Sequence, residues 1–80
     1  MYDYTDIRTV LTVPVQCAGA EDEIDVAVTI QVTIDQEAKQ VWVDIVKRED
    51  GERVALIDPV FGCAEAWIEK RAEDILRGDI

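Results

Sequence analysis

Hydrophobic and polar residues alternate without interruption from residue 23 to residue 35. A period of two places the apolar side chains on one face of an extended strand, whereas helical spacing would mix polar residues into that face. The pattern therefore predicts a β-strand whose hydrophobic face needs neighbouring strands and a covering layer. The apolar positions of this run are Ile24, Val26, Val28, Ile30, Val32 and Ile34.

A similar alternation precedes this run and predicts the first strand, at residues 7–16. Ile7, Leu11 and Val13 share its apolar face, and Pro14 lies on the other face. Because proline has no backbone N–H to donate to a neighbouring strand, we expect this strand at an edge of the sheet.

The third and fourth predicted strands, residues 40–48 and 53–57, form a hairpin around Asp50 and Gly51. Glycine adopts positive φ without steric cost, and Asp-Gly is a strong signal for a tight turn. Short connections between consecutive strands favour an antiparallel meander in the order one to four. In the third strand, strict alternation assigns Val41, Val43 and Ile45 to one face and Trp42, Asp44 and Val46 to the other.

The last segment changes to helical periodicity. Asp58 and Pro59 are typical of a helix start, with aspartate as N-cap and proline in the first turn. Gly62 is unfavourable inside a helix, which leaves a later start open, and Gly78 is typical of the end. The apolar side chains that recur at helical spacing are Phe61, Ala64, Ile68, Ala72, Ile75 and Leu76.

Together these elements predict one small α+β domain over residues 1–80. A four-stranded antiparallel β-meander is expected to carry one C-terminal α-helix packed across one face. Eighty residues are near the small end of what folds without disulfides or metals. The net stability should therefore be modest, and a homodimer that buries further apolar surface is compatible with the sequence.

Charge changes the functional picture more than any motif does. The chain has 18 acidic and 8 basic residues and no histidine, which gives a formal net charge of −10. A field of this sign repels nucleic acid and anionic membrane and attracts basic surfaces. We expect no direct binding of nucleic acid and no association with membrane. No signal peptide or membrane-spanning run is recognisable, so a cytoplasmic location is expected.

The residues needed for common catalytic and metal sites are missing from the sequence. Without histidine and serine there is no Ser-His or Cys-His pair, and the four glycines form no phosphate-binding loop. Cys17 and Cys63 have no partners for a zinc site; reduced thiols are favoured, with a disulfide as the alternative. We expect no enzymatic activity, no cofactor and no metal site.

Four acidic residues just before and at the start of the second predicted strand form the densest cluster of charge. A surface for a basic partner and a Ca²⁺ site are the functional interpretations, but the run lacks the alternating ligands of an EF-hand loop. A solvated loop is the simpler interpretation. The cluster comprises Glu21, Asp22, Glu23 and Asp25.

Glu65, Glu69 and Glu73 are spaced by four, so in one helix they lie along one flank with about 6 Å of rise between neighbours. Like charges at this spacing destabilise a helix by a few tenths of a kcal/mol. A line of carboxylates on a rigid element can contact the lysines and arginines that hold phosphates. A solvent-exposed helix face, relieved by Lys70 and Arg71, is the simpler interpretation.

Trp42 is expected on the sheet face that the helix leaves uncovered, near Val46, Val10 and Ala27. An exposed tryptophan with apolar neighbours is a candidate anchor for a partner or for a second copy of the chain. Alternatively, it lies flat over Thr29 or Thr12 and contacts no other molecule.

Two hypotheses follow for the function. The first is a small acidic inhibitor that occupies a basic, nucleic-acid-binding surface of another protein. It binds through the acidic cluster at residues 21–25, the row of three glutamates in the helix, and Trp42. Small inhibitors from phages and mobile elements, including anti-CRISPR and anti-restriction proteins, often have this size and charge; this is an analogy of type without a matched motif. The second is a homodimeric structural or accessory module that uses the sheet face around Trp42.

Overall fold

The computed structural model describes residues 2–17 and 20–78, without the side chains of residues 15–17, 20 and 21. Its architecture is α+β, with a three-stranded antiparallel sheet in the order β1-β2-β3 followed by two short helices. This confirms the predicted class and the antiparallel sheet. The elements are β1 (Tyr2–Cys17), β2 (Ala20–Asp35), β3 (Gln40–Arg48), α1 (Pro59–Lys70) and α2 (Ala72–Arg77).

The first two strands form a long hairpin that extends past the third. β1 and β2 pair from Tyr2 opposite Asp35 to Cys17 opposite Ala20. β3 pairs only with the Val28 to Asp35 part of β2. We call residues 10–17 and 20–27 the hairpin arm and the remaining, three-stranded part with its helices the body. The Cα positions accordingly extend over 47 × 23 × 20 Å.

One face of the sheet is covered by the helices, and the core lies between them. The predicted apolar face of β2 is confirmed in the body, where Ile30 is 0% exposed and Val28 is 4% exposed. Pro14 lies on β1, an edge strand, as expected. Buried residues from the sheet and from α1 form one hydrophobic cluster that includes Ile7, Leu11, Val32, Phe61, Ala64 and Ile68.

A β-bulge in β3 shifts the alternation and corrects the predicted faces of that strand. Val32 pairs with Val43, but Gln31 pairs with Ile45, so Asp44 is the extra residue. Beyond the bulge, Val46 pairs with the buried Ile30 and is itself fully buried. The prediction that Ile45 faces the core and Val46 faces away was therefore wrong.

The predicted fourth strand is also wrong. Gly51 makes the expected turn with φ of 89°, and Val54 N–H donates to the Val46 carbonyl at 2.8 Å. Pairing is limited to one bridge, between Lys47 and Arg53. The chain then turns, because the Asp58 N–H donates to the Ala55 carbonyl at 3.0 Å and α1 begins at the next residue.

The predicted single helix is divided at Arg71. The Arg71 N–H donates to the Ile68 carbonyl, three residues back, at 3.0 Å. In a continuous helix the Arg71 N–H would donate to the Trp67 carbonyl, four residues back. That carbonyl instead accepts a hydrogen bond from the Arg71 guanidinium at 3.3 Å. α1 ends at Lys70 and α2 begins at Ala72.

α1 begins and α2 ends where the sequence predicted the start and the end of the helix. Asp58 Oδ1 accepts the Val60 N–H at 2.9 Å as the N-cap of α1, and Pro59 lies at the first position. Gly62 therefore lies inside α1, and the alternative later start was wrong. Gly78 caps α2 in the left-handed conformation with φ of 79°.

Candidate functional site

A groove runs between the outer edge of β3 and helix α1. Its floor is apolar and is formed by Val41, Val43 and Ile68. Glu65 and Glu69 line it from the helix, and Trp42 lines it from the strand. We call this feature the β3 groove. It brings together three residues that the sequence singled out on two separate elements.

The carboxylates of the β3 groove are exposed and have no ion pair or hydrogen bond with the described part of the chain. The ion pairs there join Arg48 to Asp58 at 3.2 Å and Arg77 to Asp74. Lys70 and Arg71 were expected to relieve Glu65 and Glu69. The Arg71 guanidinium instead lies 4.1 Å from the centre of the Trp67 ring, in a cation–π contact.

Glu73 does not belong to this groove. It is exposed on α2, beyond the break at Arg71, and is not among the residues that line the groove. The regular row of three glutamates expected on one helix is therefore interrupted. Only its first two members share a surface with Trp42.

Trp42 lies on the uncovered sheet face, as expected, and is 40% exposed. It pairs with Thr33 across β2, and its ring meets the Tyr2 ring edge to face with centroids 5.9 Å apart. Tyr4 pairs with Thr33 from the other side and is 74% exposed. The expectation that Val46 neighbours Trp42 was wrong, because the bulge at Asp44 turns Val46 into the core.

Sequence reasoning missed Tyr2 and Tyr4 as members of the same surface. The sequence placed residues 1–6 before the first strand, with Tyr2 and Tyr4 only as candidates to pack at the margin of the sheet, but β1 begins at Tyr2, opposite Asp35. The signal was present in the sequence, since Tyr2, Tyr4 and Asp6 occupy the same alternate positions as Arg8 and Val10.

The second predicted acidic group lies on the hairpin arm. Asp22, Glu23 and Asp25 are exposed there, and the side chain of Glu21 lies outside the described side chains. Asp25 Oδ1 accepts a hydrogen bond from the Thr12 hydroxyl at 3.1 Å, and Asp22 Oδ1 accepts the Glu23 N–H at 2.9 Å. Ten residues of strand separate Glu23 from Thr33, which is roughly 30 Å. The arm carboxylates and the β3 groove are therefore separate surfaces.

No basic side chain is among the described residues that line the β3 groove. In the sheet, Arg8 and Lys47 flank Thr29 in one cross-strand row. On α1, Lys70 lines a second groove, with Arg71, on the side of the helix that faces β1. The two flanks of the helix thus differ in charge, with glutamates toward β3 and cations toward β1.

Residues 2–17 and 20–78 contain no group of three or more side chains placed to hold a metal ion. Cys63 is a free, half-buried thiol, and the side chain of Cys17 lies outside those described. Neither described helix is long and apolar enough to cross a membrane.

Comparisons with protein-family models, with curated proteins and with solved structures give no match to this chain.

Proposed function

We propose that this protein is a small acidic, non-enzymatic interaction protein of the cytoplasm. It binds a basic, nucleic-acid-binding surface of a partner protein and occupies that surface in place of nucleic acid. The observation that carries the proposal is the β3 groove, where Glu65 and Glu69 remain without an ion pair in the described chain, beside the half-exposed Trp42.

The arrangement suits a cationic partner for two reasons. A tryptophan ring offers a large, rigid contact area and attracts guanidinium and ammonium groups. The packed helix fixes the backbone of Glu65 and Glu69, so a lysine or arginine that binds has to order only their side chains. Electrostatic complementarity of this kind accelerates association and selects basic partners.

The overall charge density explains why local placement matters. A net charge of −10 over a 47 Å long molecule is roughly one charge per 5 Å, against one per about 1.7 Å along duplex DNA. The general field of the protein is thus weaker than that of a duplex. Competition with nucleic acid then depends on carboxylates that meet particular basic side chains, in the manner of phage inhibitors of the anti-CRISPR or anti-restriction type.

Two linked measurements test the proposal. Purified protein should capture a basic, nucleic-acid-binding protein from a host lysate at low salt and release it as salt rises, because charge-led association is screened. With that partner purified, labelled nucleic acid should be displaced by the acidic protein in a competition titration. Capture that is indifferent to salt, or a ternary complex with nucleic acid still bound, would contradict the proposal.

A second candidate function is a homodimeric structural or accessory module. The exposed aromatic rings of Tyr2, Tyr4 and Trp42 on the uncovered sheet face favour it. Analytical ultracentrifugation separates the two candidates. A dimer that Tyr4→Ser with Trp42→Ala converts to a monomer supports the second candidate, and a monomer at high micromolar concentration eliminates it.

A further inference from the structure

β3 is an edge strand whose outer side is only partly occupied. Its last residues have backbone partners there, since Arg48 N–H donates to the Glu52 carbonyl and the Val46 carbonyl accepts from Val54 N–H, both at 2.8 Å. Residues 40–45 have none among the described residues. Alternate backbone N–H and C=O groups of this short run are therefore free to pair with another strand.

The position of this free edge is distinctive because the β3 groove runs beside it. An added strand would direct every second side chain over the floor of Val41 and Val43, toward Glu65 and Glu69. The alternate side chains would lie on the other face, next to Trp42. The bulge at Asp44 limits regular pairing to about four residues of β3.

We propose that the partner contributes an extended basic segment that pairs with residues 40–43 of β3 as a fourth strand, with lysines or arginines at alternate positions over the β3 groove. This inference rests on the proposed function and specifies how the partner is recognised. Lysine and arginine fit the groove because their aliphatic stems pack on apolar surface while their charged heads reach carboxylates.

The charges favour this occupant over a second copy of the chain. Two copies joined edge to edge through β3 would bring two sets of Glu65 and Glu69 together, on molecules that each carry a net charge of −10. The equivalent groove on the β1 side of α1 is lined by Lys70 and Arg71, so it lacks this preference for cations. A basic strand is therefore directed to β3 and not to β1.

The test uses the full chain and three synthetic ten-residue peptides as probes. The first alternates lysine with valine. The second has the same sequence with N-methyl groups on the backbone nitrogens that face β3, and the third has them on the nitrogens that face away. N-methylation removes a hydrogen-bond donor without changing charge. We expect the inward set to weaken binding at least tenfold and the outward set to change it less than threefold.

Two variants of the protein localise the contact. Glu65→Gln with Glu69→Gln should weaken binding of the first peptide about three- to tenfold. Asp22→Asn with Glu23→Gln, which removes the same charge from the hairpin arm, should have little effect. When the first peptide is added to ¹⁵N-labelled protein, the largest changes in amide chemical shift should occur at Val41 and Val43.

The outcomes separate this inference from the proposed function. Equal weakening by both methylated peptides, or by both pairs of variants, means charge attraction without strand pairing and overturns the inference alone. Failure of all three peptides to bind, while a basic partner still shows salt-sensitive capture, also overturns only the inference. If the chain dimerises through β3 and this prevents the peptide from binding, the edge is an interface between two copies of the chain, and the inference is overturned.

Discussion

The hairpin arm and the body share the alternating pattern and both expose carboxylates, but the free end of the arm differs from the body in what surrounds each residue. On one row of β2, Ile24 in the arm is 50% exposed and Ile30 in the body is 0% exposed. The arm carboxylates Asp22 and Asp25 accept hydrogen bonds from their own hairpin, whereas Glu65 and Glu69 lie unpaired beside an apolar groove. Local surroundings, more than the density of acidic residues, distinguish the proposed binding surface from a solvated one.

The largest difference in stability between arm and body should come from placing an aspartate at Ile24 or at Ile30, which lie on the same face of β2. Ile30→Asp buries an unpaired charge at the centre of the sheet and should cost about 3–5 kcal/mol, enough to unfold a small domain. Ile24→Asp in the arm should cost less than about 1 kcal/mol because that side chain already reaches water. Urea unfolding followed by circular dichroism measures both, and equal costs would contradict the division into arm and body.

Charge reversal should separate the two acidic surfaces next. Glu65→Lys with Glu69→Lys should weaken binding of the basic partner about a hundredfold, because two attractive contacts become repulsive. Asp22→Lys with Glu23→Lys makes the same change in net charge on the arm and should weaken it only severalfold through the general field. Isothermal titration calorimetry at fixed salt compares them, and identical losses would mean that only net charge matters.

The N-terminal cap of α1 should be the next most sensitive feature, because α1 carries Glu65 and Glu69. Asp58→Ala removes the N-cap and should destabilise the fold by about 1 kcal/mol. The ion pair of Asp58 with Arg48 adds little, since both side chains are partly exposed. Asp25→Ala, which removes the Thr12 hydrogen bond in the arm, should change stability by less than about 0.5 kcal/mol. Thermal unfolding of both variants decides the order.

Effects no larger than that of the N-cap, and opposite in sign to each other, should come from two glycines of the body. Gly62→Ala should stabilise the protein by about 0.5–1 kcal/mol, because a Cβ there meets no atom within 4 Å and alanine favours the helix. Gly78→Ala should destabilise it by about 1 kcal/mol, since φ is 79° at that position. Differential scanning calorimetry resolves the sign of each change.

Much of the fold could be predicted because period-two alternation and cap residues are local signals. Three strands, the Asp50-Gly51 turn, the Asp58 cap and the Gly78 end all follow from such signals. The bulge did not, because residues 41–46 read Val-Trp-Val-Asp-Ile-Val, and both frames of the alternation supply apolar residues for the core. Packing against Ile30 selects the frame that buries Val46.

The other errors also arise from tertiary contacts. The run after Arg53 is apolar enough for a strand, but only Val54 is buried there, and Leu56 and Ile57 are 78% and 94% exposed. The helix break at Arg71 has no glycine or proline that would predict it, and at the break the Arg71 guanidinium donates to the Trp67 carbonyl. The proximity of Trp42 to Glu65 and Glu69 could not be predicted, because the sequence does not show that β3 is the edge strand beside α1.

The different settings of the two indoles have an optical consequence. Trp67 lies under the Arg71 guanidinium, whereas Trp42 meets the edge of the Tyr2 ring at the rim of the β3 groove. In a Trp67→Phe variant, the emission of Trp42 becomes a built-in signal for groove occupancy, and Tyr2 becomes its nearest energy-transfer donor. Binding can then be followed in real time on an otherwise unlabelled chain.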